Sequence, residues 1–374
     1  MKNEMSAFDI CFIVKELQKL QDAKIEKIFH SKINKNELLI RFYAGEQGKL
    51  FLKINVPGSV YLTSYKNEFE SLSGFGAFLR KHLLGSRLIN ISQKDFERVL
   101  IFDFETRRKG EFIKNQLVVE LFGQGNIILK NDEDKILGLL FSQRWKDRHI
   151  LPGKKYVFPA SQFDPLHSNK NDFHKKLKES KMSSIVKSLA TDISLGGQYA
   201  EEVCKRAKID KTTSFDNLSE EEIELLYVVT TNFASYDIKG SIYKNSITPF
   251  IFDSYDSPIK TYDSFCEALD EKLTEKKQES EMSSSEKKFE TKLNKIENVL
   301  HKQQEMLKQI ETDADKYQEM GEAIYLEYQL LNNILVEIIE LRKTKSWSEI
   351  KDLFKAKHPA VKINEKNNEL IVDL

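Results

Sequence analysis

A chain of 374 residues, 40% of them hydrophobic and 31% charged, can bury a sizeable core and has the length for about two or three domains. Lys plus Arg and Asp plus Glu both number 58, so the formal net charge is zero; a whole-molecule basic field is excluded, and any nucleic-acid contact must come from local patches. Cys11, Cys204 and Cys266 lie far apart without CxxC spacing, which argues against a zinc site and a disulfide framework and fits a reducing cytosol.

The opening segment, MKNEMSAFDICFIVKEL, carries acidic residues and only a brief apolar run, so it reads as neither a secretory signal nor a membrane span. After Ser6, the apolar positions Phe8, Cys11, Phe12, Val14, Leu17 and Leu20 recur near helical spacing and predict a helix over 7–20. Strands follow at 37–43, 49–55 and 59–63, separated by Gly45, Gly48 and the Pro57-Gly58 turn. Ser73 caps a second amphipathic helix, SGFGAFLRKHLLG, which Gly85 can end in the left-handed conformation. Beyond the short apolar run Arg87-Leu88-Ile89-Asn90-Ile91 comes a polar corner, QKDFERVL, with Glu97 and Arg98 at the entrance to a strand. That placement suits recognition better than packing. A meander then alternates apolar and polar residues over 98–104, 111–122, 126–130 and 135–141, with turns at Lys109-Gly110, Gly123-Gln124-Gly125 and 131–134. Residues 1–165 thus read as one α+β domain.

From 171 to 236 the pattern turns helical, with a glycine turn, Leu195-Gly196-Gly197-Gln198-Tyr199, before a helix that begins Ala200-Glu201-Glu202. Two readings stand: a helical hairpin whose Gly196 and Gly197 let backbone amides approach a phosphate, or a plain helix-connecting turn. Residues 237–280 read as a strand pair near 241–253 and a connecting helix. From Phe289 apolar residues follow alternating steps of four and three through Leu293, Ile296, Leu300 and Leu307 to Ile338, interrupted by Gln303 and Gly321. This period predicts a coiled-coil arm over 281–342, of roughly 75 Å if continuous, with Gly321 as the place where one helix would end and another start. Residues 343–374 suggest part of a small lobe, a helix over 347–357 and an alternating stretch over 361–374.

Asp9 lies three residues after Ser6, which fits a capping-box acid; the competing reading is an exposed carboxylate that accepts hydrogen bonds from base edges or ribose hydroxyls. Glu97 and Arg98 are either a surface ion pair or an acceptor beside a rigid donor fork, suited to a nucleotide. Arg80, Lys81 and His82 fall in the last turn of the second helix, where cations also favour the helix dipole. Arg144, Lys146 and Arg148 mix with Trp145 over one loop, a composition that suits an RNA backbone as well as an ordinary solvated loop. The seven histidines contain no HxxxH pair, so no metal site is expected.

Together SAFDICFIVKEL, GFGAFLRKHLLGSRL, the Glu97-Arg98 corner, QLVVELFGQGNIILKNDEDKIL, LPGKKYVFP and SLGGQYAEEVCKRAKID resemble the NFACT family, which includes fibronectin-binding protein A, bacterial RqcH, eukaryotic NEMF and archaeal relatives. The resemblance covers nearly the whole chain. It implies an α+β protein: an NFACT-N domain distantly similar to Fpg/MutM-type glycosylases, a helix-hairpin-helix domain, and a coiled-coil arm with a middle lobe. It further implies a cytoplasmic, non-enzymatic ribosome quality-control factor without cofactor or metal. Such a factor binds the obstructed large ribosomal subunit with its nascent-chain peptidyl-tRNA, contacts tRNA and rRNA, and recruits tRNA for template-free tailing. By the same resemblance Asp9, Glu97 and Arg98 hold tRNA.

Two departures stand out. The family usually has Asp-Arg where this chain has Glu97-Arg98, and Lys2 stands where a glycosylase of that fold uses proline as its nucleophile. Where the chain stops at Leu374, the family continues into a returning helix and an NFACT-R region. The expectation is therefore an arm completed by that region, by a partner chain, or by a second copy as a homodimer. The rival readings are a fibronectin-binding adhesin and a DNA-repair protein.

Overall fold

A computed structural model describes residues 4–32, 34–64, 72–108, 110–145, 148–357, 361–364, 367 and 369–372, with backbone only at 108 and 276–290. Two units, Met1–Glu279 and Ser280–Leu374, divide the chain.

In the first unit, Ser6 starts α1 (Ala7–Leu17) with a reciprocal capping box: its hydroxyl accepts from the Asp9 amide at 3.1 Å while Asp9 accepts from the Ser6 amide at 2.8 Å. The helix tightens to a 3₁₀ turn at Gln18–Leu20, and Phe8, Phe12, Ile13 and Leu17 are fully buried on its inner face. Next come β1 (Lys24–His30), β2 (Glu37–Tyr43), β3 (Lys49–Asn55), β4 (Ser59–Thr63), α2 (Gly74–Leu83) and β5 (Arg87–Gln93). The meander supplies β6 (Val99–Arg108), β7 (Glu111–Glu120), β8 (Asn126–Asn131) and β9 (Ile136–Leu139). These strands form one antiparallel sheet in the order β4-β3-β2-β1-β5-β6-β7-β8-β9. Strand β1, KIEKIFH, was not among the strands expected from sequence; its apolar Ile25 and Ile28 fall out of strict alternation because a bulge lies between Ile25 and Lys27. Gly125 shows why a glycine closes the β7–β8 turn. Its φ is +69°, and a Cβ there would stand 2.7 Å from Val56 Cβ and 2.8 Å from Pro57 Cα.

A small hairpin, β10 (Gln143–Arg144) and β11 (His149–Ile150), leads to α3 (Lys170–Lys178), α4 (Ile185–Thr191), α5 (Gly197–Ala207) and α6 (Glu220–Asn232). Where a strand pair was expected near 241–253, three short strands occur: β12 (Gly240–Ile242), β13 (Ile247–Thr248) and β14 (Lys260–Tyr262), ordered β13-β12-β14. Sheet, helices and small sheet share one apolar core that runs from Phe8, Leu52 and Leu100 through Phe173, Leu189 and Tyr199 to Phe252 and Leu269. The long helix α7 (Phe265–Leu326) starts inside this unit. Its first amides, Phe265 and Cys266, donate to the buried Glu16 of α1 at 2.8 and 2.7 Å, so α1 carries the cap of α7. Asp270, one turn on, accepts from the Ser64 amide at 2.8 Å and the Thr63 hydroxyl, which ties α7 to the end of β4.

In the second unit α7 passes through Gly321 unbroken, and the break comes at Glu327, before α8 (Tyr328–Arg342). A single glycine inside a long helix costs only about 1 kcal/mol, too little to end it. The expected seam lies open along α7: Ile296 and Tyr317 are 67% and 70% exposed. The side chain of Phe289, the first seam position, lies outside the described residues. Near the end of the seam Ile334 and Ile338 are covered, packed with Ile350 and Phe354 of α9 (Trp347–Lys357) and with the hairpin β15 (Val361–Asn364) and β16 (Glu369–Val372).

Candidate nucleic-acid interface

Among the stretches of chain that line one cleft, three carry the predicted site residues. The first is the start of α1. The second is the polar corner before β6, a tight turn in which the Glu97 amide donates to Lys94 O at 3.0 Å and Asp95 takes φ +48°. The third is the turn between α4 and α5, where Ser194 and Gly196 have φ of +64° and +75°, a pair of left-handed residues for which glycine is the natural choice at the second. Gln93 locks the first two together, its side-chain amide donating to the carbonyls of Ala7 and Glu97 at 2.9 Å each. The cleft, about 380 Å³, is lined by Glu4, Ser6, Ala7, Phe96, Glu97, Arg98, Gln162, Ser194 and Gly196 among others.

Two features favour an anion here, set against the carboxylates of Glu4 and Glu97 in the same lining. The starts of α1 and α5 both lie on it, each the positive end of a helix dipole, and no side chain caps α5. Arg98, half-buried, adds a permanent guanidinium charge. Gly196 lies on the cleft, with Gly197 the next residue and the first of α5. Its own amide is already committed, donating to Ala190 O at 3.0 Å.

Glu97 departs from the exposed acceptor expected at the corner. It is 7% exposed, and its Oε1 accepts from the Gln162 amide at 2.6 Å, so its carboxylate holds the 159–162 segment against the corner. Burial pushes this carboxyl above its ordinary value, with Asp95 acting in the same direction and the Gln162 amide and Arg98 opposing. Arg98 does not pair with it. Its Nη1 meets Glu4 Oε2 at 2.7 Å. Asp9 is also buried, at 8% exposure: Oδ2 accepts from the Ser6 amide and hydroxyl, both at 2.8 Å, and Oδ1 from the Tyr199 hydroxyl at 2.8 Å. The capping-box reading describes it, and the exposed-carboxylate reading does not.

The other basic candidates lie away from the cleft lining. Arg80, Lys81 and His82 end α2; Arg80 Nε donates to Ile28 O at 2.8 Å, and the His82 ring lies 4.5 Å from that of Phe78. In the Trp145 loop, Arg144 is exposed and Lys146 lies outside the described residues. Arg148 is no solvated loop cation. It is 8% exposed, paired with the buried Glu120 of β7 and bonded to Tyr156 Oη at 2.9 Å and Val157 O at 2.6 Å. Tyr156 in turn donates to Glu120 at 2.7 Å. Long-range pairs such as Glu120 with Arg148 leave no local pattern in the chain; neither do the roles of Tyr199, Gln93 and Gln162. Among the described residues no group of three or more His, Cys, Asp or Glu is placed to hold a metal ion, and no helix is long and apolar enough to cross a membrane.

A family model described as NFACT N-terminal and middle domains matches residues 6–369. The archaeal Rqc2 homolog aRqcH of Methanocaldococcus jannaschii is 34% identical over 401 residues, covering 100% of this chain and 58% of that protein. Ribosome quality control complex subunit 2 of Saccharomyces cerevisiae is 31% identical over 141 residues, 37% of this chain and 13% of that one. Among solved structures, the N-terminal part of the fibronectin/fibrinogen-binding protein from Streptococcus suis aligns with a TM-score of 0.61 at 22% identity, over 73% of this chain and 100% of that one. That likeness is one of fold. The chain spans little more than half the length of the archaeal relative.

Proposed function

The chain belongs to the family of NFACT N-terminal and middle domains, and from that premise we propose that it works in ribosome-associated quality control, binding the obstructed large subunit with its peptidyl-tRNA and recruiting tRNA for template-free tailing of the stalled chain. The proposal rests on relatives named for ribosome quality control and, within this chain, on one observation: Arg98 and the starts of α1 and α5 line a single cleft. A cleft with a fixed guanidinium and two helix starts suits the phosphates and exposed bases of a tRNA loop. Glu97 and Asp9 serve this reading as buried supports of the cleft wall, with Arg98 as the group that reaches the RNA.

On this proposal the protein supplies no bond-making group. It positions tRNA, and peptide-bond chemistry belongs to the ribosome. The exposed seam of α7 is the natural candidate for an arm that reaches other surfaces of the large subunit. The test is ultraviolet crosslinking in cells followed by sequencing of the bound RNA. Enrichment of tRNA and large-subunit rRNA, lost in Arg98→Ala for tRNA, is the expected result; a crosslinked pool without tRNA would refute the proposal.

A further inference from the structure

Tyr199 packs against the start of α1, part of which lines the cleft. It is fully buried, two residues into α5, and its hydroxyl donates to Asp9 Oδ1 at 2.8 Å across 190 residues of sequence. Its ring stacks on Phe8 of α1, with centroids 4.8 Å apart and planes at 22°. Phe8 meets Phe96 edge-on at 4.9 Å, and Phe96 immediately precedes Glu97 and Arg98. The column Phe96–Phe8–Tyr199 therefore joins the corner, the start of α1 and the start of α5, three of the parts that line the cleft.

We infer that Tyr199 is a positioning residue for RNA binding: its hydrogen bond to Asp9 sets the spacing between the Gly196 turn and the Arg98 corner, although neither Tyr199 nor Asp9 touches the RNA. The inference rests on the reading of the cleft given above. The geometry supports it in three ways. A ring this buried has no route to a bound polymer. The bond links α1 to α5, so a change in its length changes the width of the opening between their starts. Asp9 uses its other oxygen to cap α1, so the carboxylate holds both helix starts at once. The tyrosine is a fixed donor, since burial and the Asp9 charge both drive its proton affinity well above the ordinary range.

The experiment uses Tyr199→Phe in the full chain, which keeps the stacked ring and removes the one hydroxyl, beside Arg98→Ala and the double variant. Two readouts are taken below the thermal transition of every variant: hydrogen exchange of the 194–197 and 6–8 amides without RNA, and affinity for purified tRNA. Tyr199→Phe should speed exchange in both segments and weaken tRNA binding about tenfold, with little further loss in the double variant, since both changes act on the same cleft. The conservative Asp9→Asn, which keeps an acceptor for the tyrosine, should retain more affinity than Asp9→Ala. Wild-type exchange and affinity in Tyr199→Phe would overturn the positioning role. If exchange rises as expected but Arg98→Ala binds tRNA like wild type, the clasp stands and the assignment of the cleft to tRNA fails.

Discussion

Arg98→Ala should separate binding from folding. The guanidinium is 30% exposed and its partner, Glu4, is 40% exposed, so the ion pair lies in the regime where solvent screening leaves at most about 1 kcal/mol. Removing it therefore leaves thermal stability nearly intact. A guanidinium that contacts a base edge contributes about 1 to 3 kcal/mol, which is roughly 5- to 150-fold in affinity. Glu97 should behave in the opposite way. Its carboxylate is buried and bonded to the Gln162 amide at 2.6 Å, so Glu97→Asp pulls the acceptor back by one methylene and strands a buried donor, a stability loss of about 1 kcal/mol or more. Filter binding to tRNA and chemical denaturation of both variants make the comparison. Unchanged tRNA affinity in Arg98→Ala would return Arg98 to the status of a surface ion-pair partner and remove the cleft's only proposed RNA contact of full charge.

Other outcomes follow from the same geometry. Arg148→Ala breaks a buried pair and should cost about 3 to 5 kcal/mol in a urea titration, whereas the exposed Arg144→Ala should leave stability unchanged and, if this loop meets RNA, make the salt dependence of binding shallower. Glu97 has a folded-state pKa above its ordinary value of 4.5, so the folded protein takes up this proton before the unfolded chain does. Relative to Glu97→Gln, the wild type should gain stability as pH falls toward about 4.5 and lose it as pH rises through the folded value; parallel stability curves for the two would contradict the burial argument. The open seam of α7, with Ile296, Leu307 and Ile310 all more than half exposed, should drive self-association, seen in sedimentation as concentration-dependent dimers that vanish on deleting 281–374. A strictly monomeric chain would refute that.

Much of the fold was legible where the signal is local. Ser6 with Asp9, and Ser73 ahead of α2, mark helix starts because capping is settled within one turn of chain. The meander was legible because glycine turns and alternation repeat at short range. Strand β1 escaped because its bulge breaks the alternation that identifies a strand. At the site, sequence brought Asp9, Glu97, Arg98 and Gly196 into view but not their exposure. Burial depends on what the rest of the chain places above a residue, and neither Gln162 over Glu97 nor Tyr199 against Asp9 is encoded nearby. Arg148 shows the same limit: a cation among aromatics in a loop looks solvated until Glu120, 28 residues earlier, is folded against it.

The most direct test of the proposed tRNA cleft is site-specific photocrosslinking from position 160, where Ala160 lines it, with position 112 as the control, Phe112 being exposed at the tip of the β6–β7 hairpin. A photoreactive side chain at 160 should give tRNA adducts that fall away in the Arg98→Ala background, with few at 112. Equal adducts at the two positions, or none at 160 under conditions where the protein binds tRNA, would place the RNA elsewhere on the molecule.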